Sequence, residues 1–441
     1  MYNFTVDESS IQALEKYKDE KIFLHPVYTN INYHPRFRNL IGFYFHPIEE
    51  EYGQFINFNH PESTTCDINR INTLLSSFSN LFVINKKDLL YLSTLTNVKD
   101  LNIFNTLEDF HKLELPTETS IQRWMYHQYR DNRYMNVFVP LTKLYEHCSN
   151  IFKKVLPILK RFKDSDEFKF YNQKATSVFY LIERTGIKVD EGKIKEVYKI
   201  ETPEFNIKDN VVYTYFNLYN TTSRPTNSFN QVNFSAIPHK KEYRELFVPA
   251  NDVFVELDYD GYHLRILGDL IGYKFTGDRA HLELGKQYFK KDNLTEKEYK
   301  QTKQINFSSI YGRTPPEYSH TEFLSKLDRY TEEIWKEFKT NGYIRDNISN
   351  KKFTDKIPDL NPKKLLNYTI QSLETSNNIN VLKEVLKLLA DKKSRISLYT
   401  YDSIILDFST RDTNLLNDIK NILEQDGKFP VNIKKSKNLF L

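Results

Sequence analysis

Asp258 and Asp402 stand at the ends of two strand-like segments that are far apart in this chain, and they constrain its fold most. Residues 253–258 read VFVELD, which predicts a strand, and residues 396–408 read ISLYTYDSIILDF, which predicts two strands around a turn. A carboxylate beside buried strand residues costs free energy unless a positive group compensates it. Taken singly, Asp258 could be a helix N-cap and Asp402 a turn residue. If the two meet, they repel each other unless a divalent metal lies between them.

A lysine and two aromatic residues are predicted to share one face of a helix between these aspartates. Thr295 and Glu298 have the spacing of a capping box, so we expect a helix to begin there. Lys303, Phe307 and Tyr311 follow at intervals of four residues, which places them on one face. That face suits a triphosphate at its cationic end and a base at its aromatic end; an amphipathic core stripe is the alternative.

Composition narrows the class of protein. The chain has 441 residues, which indicates two or three domains, and 39% are hydrophobic, which argues against global disorder. Two cysteines, Cys66 and Cys148, exclude a disulfide scaffold or a cysteine-rich zinc module. No apolar run is long enough to span a membrane, and the N-terminal residues do not read as a signal peptide, so we expect a cytosolic protein.

Charge and aromatic content leave two interpretations open. The net charge of +4 is weaker than a small DNA-binding domain would carry, so a nucleic-acid partner requires a local positive surface. Residues 281–313, with seven Lys or Arg against four Asp or Glu, form such a region. The 30 Tyr and 32 Phe suit either core packing or base stacking.

The N-terminal part of the chain reads as mixed α/β. Short apolar runs predict strands at 21–24, 40–45 and 81–84. Residues 143–163 predict a helix with several basic residues, which form either a solvated face or a nucleic-acid contact. Together with the helices expected further on, these elements predict an α+β (mixed α/β) fold.

Six motifs in order carry a resemblance to a known family. They are TSR at 222–224 with FSAIP after it, LDYDGYHLRIL from Leu257, KQINFSSIYG from Lys303, NYTIQ at 367–371 and YDS at 401–403. Over about 300 residues this series resembles the polymerase half of a DNA polymerase I-type (family A) DNA polymerase. The resemblance implies a right-hand polymerase with palm, fingers and a reduced thumb, preceded by an exonuclease-like α/β domain.

The resemblance also implies domain limits and partners. We expect an exonuclease-like domain at 1–125, a thumb with connecting helices at 126–225, and palm and fingers at 226–441, with the fingers at about 273–345. The implied partners are primer–template DNA and dNTPs. Gly186 and Arg224 are only 38 positions apart, so the thumb is short and we expect low processivity or a processivity or replisome helper protein.

Each site residue follows from the resemblance. Asp258, Asp402 and the Tyr259 carbonyl are expected to bind two Mg²⁺ ions, for which Mn²⁺ could substitute, and Lys303 is expected to assist catalysis. The expected nucleotide-binding residues are His281, Arg279, Lys300, Phe307, Tyr311, His263 and Tyr259. The expected primer–template contacts are Arg224, Asn233, Lys363, Asn367, Gln371 and Tyr401.

Departures from the family pattern leave further readings open. His263 and Tyr299 replace a Glu and an Arg of the family, and Ser403 replaces the Glu of its third motif. A catalytically silent primer–template-binding protein, or a polymerase with relaxed selectivity for ribonucleotides or RNA templates, is therefore an alternative. The residue bias suggests an AT-rich genome, and a compact enzyme of this kind would suit a virus that replicates in the host cytoplasm.

The exonuclease-like region lacks the acids that the family uses. Where the family has Asp-x-Glu after the first strand, this chain has His25, and its His-Asn pair has become Ile84-Asn85, although Asp88 remains. Because two-metal hydrolysis needs several carboxylates, we expect a structural exonuclease remnant and no proofreading; an unrelated N-terminal domain is the alternative.

Overall fold

The structure is a computed structural model, and its described residues form two compact units. It describes residues 4–5, 8–29, 34–115, 139–198, 207–227, 234 and 237–441. The first unit comprises Met1–Tyr180 and Glu201–Lys208, and the second comprises Leu181–Ile200 and Asp209–Leu441, as far as these are described. The finer division into exonuclease-like domain, thumb, palm and fingers stays a prediction.

The first unit is built on a six-stranded mixed sheet. Its strands, in chain order, are β1 Phe4–Thr5, β2 Ile22–Tyr28, β3 Leu40–Pro47, β4 Gln54–Asn57, β5 Leu81–Val83 and β6 Lys99–Asp100. The spatial order is β1-β4-β3-β2-β5-β6, with β3 antiparallel to both β2 and β4 and the remaining pairs parallel. The apolar runs that predicted strands thus form the centre of the sheet, where Phe23, Phe43 and Phe82 are fully buried.

Helices accompany this sheet. They are α1 Glu8–Gln12, α2 Ile68–Ser76, α3 Lys86–Leu89, α4 Leu101–Asp109, α5 Leu141–Arg161, α6 Asp166–Lys169 and α7 Thr176–Glu183, in which the unit boundary falls. Helix α5 confirms the helix predicted at 143–163. Its apolar residues recur every three or four positions and are buried, while Lys153 and Lys154 are exposed, as expected of a solvated basic face.

The second unit contains an antiparallel four-stranded sheet that carries both aspartates. Its strands are β13 Val253–Tyr259, β16 Arg395–Tyr399, β17 Ser403–Phe408 and β18 Val431–Ser436, in the order β16-β17-β13-β18. The predicted strand and the predicted hairpin therefore pair with each other. Phe254 is buried as well as Val255 and Leu257, so both faces of β13 are covered over this stretch.

In the described part of the chain, shorter strands and eight helices complete the second unit. The other strands are β7 Ile187–Val189, β9 Val211–Val212, β10 Phe216–Asn217, β11 Thr226–Asn227, β12 Phe247–Val248, β14 Tyr343–Arg345 and β15 Lys352–Thr354; β8, Ile207–Lys208, belongs to the first unit. The helices are α8 Glu191–Tyr198, α9 Lys241–Arg244, α10 Tyr262–Ile271, α11 Ala280–Phe289, α12 Glu296–Tyr311, α13 Glu322–Asn341, α14 Pro362–Leu388 and α15 Leu415–Glu424.

Local sequence explains the helices nearest to Asp258. Gly261 precedes α10 with a positive φ of 60°, and a Cβ there would lie 2.8 Å from the Cβ of Ala280, so only glycine allows α11 to begin this close. Helix α12 begins with the predicted capping box, in which Thr295 and Glu298 satisfy each other's backbone N–H groups. In the described ranges, no helix combines the length and the apolar character needed to cross a bilayer.

Candidate active site

A cleft of about 380 Å³ in the second unit contains both aspartates. Its floor is the end of the β13–β17 sheet, one wall is α12 and another is formed by α10 and α14. The lining residues are Arg224, Asp258, Tyr259, Asp260, Gly261, Tyr262, His263, Leu264, His281, Tyr299, Lys303, Asn306, Phe307, Ile310, Tyr311, Glu374, Asp402 and Asn432.

Strand register brings Asp258 and Asp402 together. Asp258 on β13 lies opposite Ser403, the first residue of β17, so Asp402 in the preceding turn follows directly at the same edge. The N–H of Tyr259 donates a hydrogen bond to the carbonyl of Asp402 at 2.9 Å, which fixes the two backbones side by side. Tyr401 in the turn has a φ of 71°, a left-handed conformation that is uncommon for a non-glycine residue. The two acids predicted from distant segments therefore share one site.

The electrostatics of the aspartate pair favour a cation. Burial raises the pKa of Asp258 to about 7, and the charges of Asp402 and Glu256 contribute to the increase. Burial also raises the pKa of Asp402, as does the charge of Glu374. Among the described residues, no basic side chain forms an ion pair with either aspartate. Two carboxylates that crowd each other without an ion-pair partner in the described residues fit a divalent metal, for which oxygen atoms are the preferred ligands.

The acidic set at this site is small. Within the described part of the chain, no three His, Cys, Asp or Glu side chains come together in a metal-binding cluster. Ser403, at the position where the family that the sequence resembles has a third acid, is buried and its hydroxyl contacts the Thr400 hydroxyl at 2.7 Å. Metal binding would therefore depend on Asp258 and Asp402, with the backbone carbonyl of Tyr259 beside them.

Helix α12 presents Lys303, Phe307 and Tyr311 to the cleft on one face, as predicted. The side chains of Phe307 and Tyr311 are 52% and 39% exposed, although large aromatic residues are usually buried. Their rings are nearly parallel, with centroids 6.0 Å apart. Lys303 is exposed, and no acidic side chain of the described residues pairs with it. An amphipathic core stripe would bury this face, so the structure favours a ligand-binding face.

His281 offers a neutral ring to the same cleft. Burial, together with the nearby charge of Lys303, lowers its pKa to about 4. The side-chain amide of Asn306 donates a hydrogen bond to His281 Nδ1 at 2.9 Å. Lys303 is therefore a cation that lines this side of the cleft, and His281 lines it as a neutral ring that accepts a hydrogen bond.

Arg279 and Lys300 differ in their relation to the cleft. The guanidinium of Arg279 lies over the ring of Tyr299, with 5.2 Å to the ring centroid, and Lys303 lies 5.0 Å from the same centroid. Arg279 is therefore adjacent to the cleft edge through Tyr299. Lys300 does not line the cleft; its ammonium pairs with Glu296 on the surface at 2.6 Å.

The opposite wall contains an acid that the sequence analysis missed. Glu374 on α14 is only 1% exposed at its side chain and lies between two groups that were predicted, Arg224 and His263. The guanidinium of Arg224 also stacks on the ring of Tyr401, 3.8 Å from its centroid. Glu374 follows Asn367 and Gln371 at i+7 and i+3, so it continues the helix face that the motif defines; this spacing was the available signal.

The remaining residues predicted to contact DNA differ in where they lie. Asn367 and Gln371 are half-buried on α14, and the buried Oδ1 of Asn367 has no hydrogen-bond partner within the described ranges. Lys363 does not line the cleft; its ammonium donates to the carbonyl of Ser309 at 3.1 Å. Asn233 lies outside the described residues.

The fold of the chain is similar to that of a solved DNA polymerase domain. The structure titled "POL domain of Pol1 from M. smegmatis complex with DNA primer-template and dNTP" matches with a TM-score of 0.73 at 12% sequence identity, covering 99% of each chain. No protein-family model and no curated protein matches the sequence. The likeness shows the fold and confirms the predicted α+β polymerase-like architecture, whereas the activity rests on the residues of the cleft.

Proposed function

We propose that this protein is a template-directed DNA polymerase that adds deoxynucleotides to a primer 3′-hydroxyl. The observation that carries the proposal is the cleft itself, in which Asp258 and Asp402 lie across from Lys303, Phe307 and Tyr311. The similar solved polymerase domain was determined with DNA primer-template and dNTP, and we infer the same ligands for this chain.

Asp258, Asp402 and the Tyr259 carbonyl would hold two Mg²⁺ ions, with Mn²⁺ as a substitute. Bound there, the ions would promote ionisation of the primer hydroxyl and neutralise charge on the triphosphate. The hydroxyl attacks the α-phosphorus, the bond from the α-phosphorus to the bridging oxygen breaks, and pyrophosphate leaves. The protein's own contribution is to hold the reacting groups in line and to exclude competing geometries.

The exposed residues of helix α12 would contact successive parts of the incoming nucleotide. Lys303 attracts the phosphates, with the neutral ring of His281 available to hydrogen-bond them and Arg279 close to the cleft edge. Phe307, one turn further, packs on the sugar and base, and Tyr311 meets the base pair beyond it. Successive members of this face are one helical turn, about 5.4 Å, apart, which is the scale of phosphate, sugar and base.

Arg224, Asn367, Gln371 and Tyr401 would contact the minor-groove side of the new base pair. Arg224 and Tyr401 are stacked on each other beside Asp402. In the described part of the chain, no group donates a hydrogen bond to Oδ1 of Asn367, so this atom can accept one from DNA. Minor-groove acceptors are alike in all correct base pairs, so these contacts would test pairing geometry and not sequence. The short thumb region still suggests a helper protein.

We infer that the first unit does not proofread. Asp88, the acid that remains near the altered His-Asn position, pairs with Arg38 at 2.9 Å, and both side chains are largely buried. His25, where the family has acids, is held neutral because burial lowers its pKa to about 3. These groups support the absence of a two-metal hydrolytic centre, which needs several free carboxylates.

Primer extension tests the proposed activity. Wild-type protein with Mg²⁺ should extend a primer with the dNTP complementary to each of four templates. Asp402→Asn should reduce the rate at least about 1000-fold, since the metal-bound charge stabilises the transition state by several kcal/mol. Asp391→Asn, an exposed aspartate in the same unit, is the matched control.

The outcomes separate the candidate functions. Extension that survives in Asp402→Asn would contradict the proposed centre, and extension that ignores the template would contradict template direction. No extension by the wild type, together with retained primer–template binding, would favour the catalytically silent alternative, and equal use of rNTPs or RNA templates would favour the relaxed-selectivity alternative.

A further inference from the structure

Glu374 is a buried carboxylate in the cleft wall. Its side chain is 1% exposed, and a carboxylate at that depth costs free energy unless charged partners compensate it. Burial raises its pKa, but the interactions of the carboxylate with His263 and Arg224 outweigh burial, and the net shift of the pKa is downward. Glu374 therefore remains ionised near neutral pH and carries a fixed negative charge into the cleft wall.

Two side chains from different segments meet at this carboxylate. Arg224 approaches with Nε 2.9 Å from Oε2 and with a hydrogen bond from Nη2 to Oε1 at 3.3 Å. His263 Nε2 lies 3.1 Å from Oε1, at ion-pair distance although its N–H is not aligned as in a hydrogen bond. A single acid on α14 thus fixes one side chain from α10 and one from the loop before β11.

The other ring nitrogen of His263 contacts the ligand-binding face of α12. His263 Nδ1 is hydrogen-bonded to the Tyr311 hydroxyl. Burial raises the pKa of Tyr311 to about 12, with a contribution from the charge of Glu374, so this hydroxyl keeps its proton. If Nε2 carries the N–H that faces Glu374, a neutral ring accepts the Tyr311 proton at Nδ1, and the hydrogen bonds run from Tyr311 through His263 to Glu374.

The chain of Tyr311, His263 and Glu374 lies where the proposed nucleotide would place its sugar. If the triphosphate lies at Lys303 and the base at Tyr311, the sugar lies beside Phe307, between the aspartates and the wall that contains His263. A bulky imidazole held rigidly there would meet a hydroxyl on the 2′ carbon. Rigidity matters because a side chain that could rotate away would admit the extra hydroxyl at little cost.

We propose that Glu374 is a positioning residue that, by holding His263 against Tyr311, sets the discrimination between deoxyribonucleotides and ribonucleotides. The inference rests on the proposed polymerase function. In the sequence, His263 stands where the resembling family has an acid; here the acid is contributed by a different helix, one turn beyond Gln371. A purely structural ion pair would support folding without affecting sugar selectivity, and this difference makes the two roles separable.

The test compares kcat/KM for a dNTP and the matching rNTP in wild type, Glu374→Gln, His263→Gln and the double variant. Glu374→Gln keeps the volume of the side chain but loses its charge, and His263→Gln removes the imidazole that Glu374 holds. Each single variant should therefore lower the dNTP/rNTP ratio of kcat/KM about tenfold. Because both changes disrupt the same interaction, the double variant should lower the ratio no further. Glu384→Gln, an exposed glutamate on the same helix that pairs with Lys387, should leave the ratio unchanged.

The proposal would be overturned if folded Glu374→Gln has the same dNTP/rNTP ratio as the wild type. It would also be overturned if the effects of the two single variants multiply in the double variant. If Glu374→Gln does not fold, ¹⁵N NMR of the wild-type histidines decides, with the His263 signals assigned by their loss in His263→Gln. A proton on Nε2 is expected, and a neutral ring protonated only on Nδ1 would contradict the proposal. If the wild type incorporates no nucleotide, the proposed polymerase function is wrong. In that case the position of the His263 proton, measured by NMR, still tests whether Glu374 orients His263.

Discussion

The cleft of the second unit and the sheet of the first unit differ in whether their ionisable side chains have partners of opposite charge. In the cleft, Asp258 and Asp402 face each other without a basic partner among the described residues, and Lys303 across from them has no acidic one. In the first unit, Asp88 is paired with Arg38. This uncompensated charge is the feature of the second unit on which the proposed binding of a charged ligand depends.

Asp100 shows how completely the first unit can satisfy a buried acid. Its carboxylate accepts hydrogen bonds from the backbone N–H of Lys86 at 2.7 Å and of Ile103 at 2.9 Å, so it caps helix α4. Burial lowers the pKa of Lys86 to about 8, although the charge of Asp100 opposes the shift. These groups stabilise structure and leave no charge available to a ligand, which is the contrast that the following predictions test.

The largest effect is expected for Lys303→Ala. Removing the cation that we propose to bind the phosphates should lower kcat/KM for dNTP incorporation by about 100-fold to 1000-fold, because a positioned charge acts strongly in a partly desolvated cleft. Steady-state extension of a primer measures this. The control is Lys297→Ala, since Lys297 is exposed on the same helix. An equal loss of kcat/KM in both variants would contradict a special role for the charge in the cleft.

A smaller effect, on stability alone, is expected for Asp88→Asn in the first unit. Breaking its largely buried pair with Arg38 should lower the free energy of unfolding by about 2 kcal/mol. Denaturant unfolding measures the change, and Arg38→Gln in the same background should cost little more, because the partner is already lost. Excision of a mispaired primer end by the wild type that disappears in Asp88→Asn would show instead that this unit is an active nuclease.

Much of this contrast was readable from the sequence, because local patterns set the elements. The strand ending at Asp258, the hairpin containing Asp402 and the capped helix from Thr295 all have the predicted form, and pairing between β13 and β17 follows from their apolar runs. A resemblance spread over six motifs then indicated that these elements belong to one site.

Other features depend on tertiary burial, which no local pattern reveals. A glutamate on a 27-residue helix is ordinarily solvated, so nothing but its helix face suggested that Glu374 is buried and paired. The neutral ring of His281 follows from its burial and from the charge of Lys303.

The most direct test of the account is the titration of Asp258. ¹³C NMR of labelled aspartate carboxyls, assigned with Asp258→Asn, should give a pKa of about 7 without metal, well above the usual value of about 3.9. Because the folded-state value is raised, the stability that the protonated form contributes is lost as pH rises from about 4 through 7. Mg²⁺ should lower this pKa and restore that stability. An ordinary pKa near 4 that Mg²⁺ does not change would contradict a shared metal site at Asp258 and Asp402.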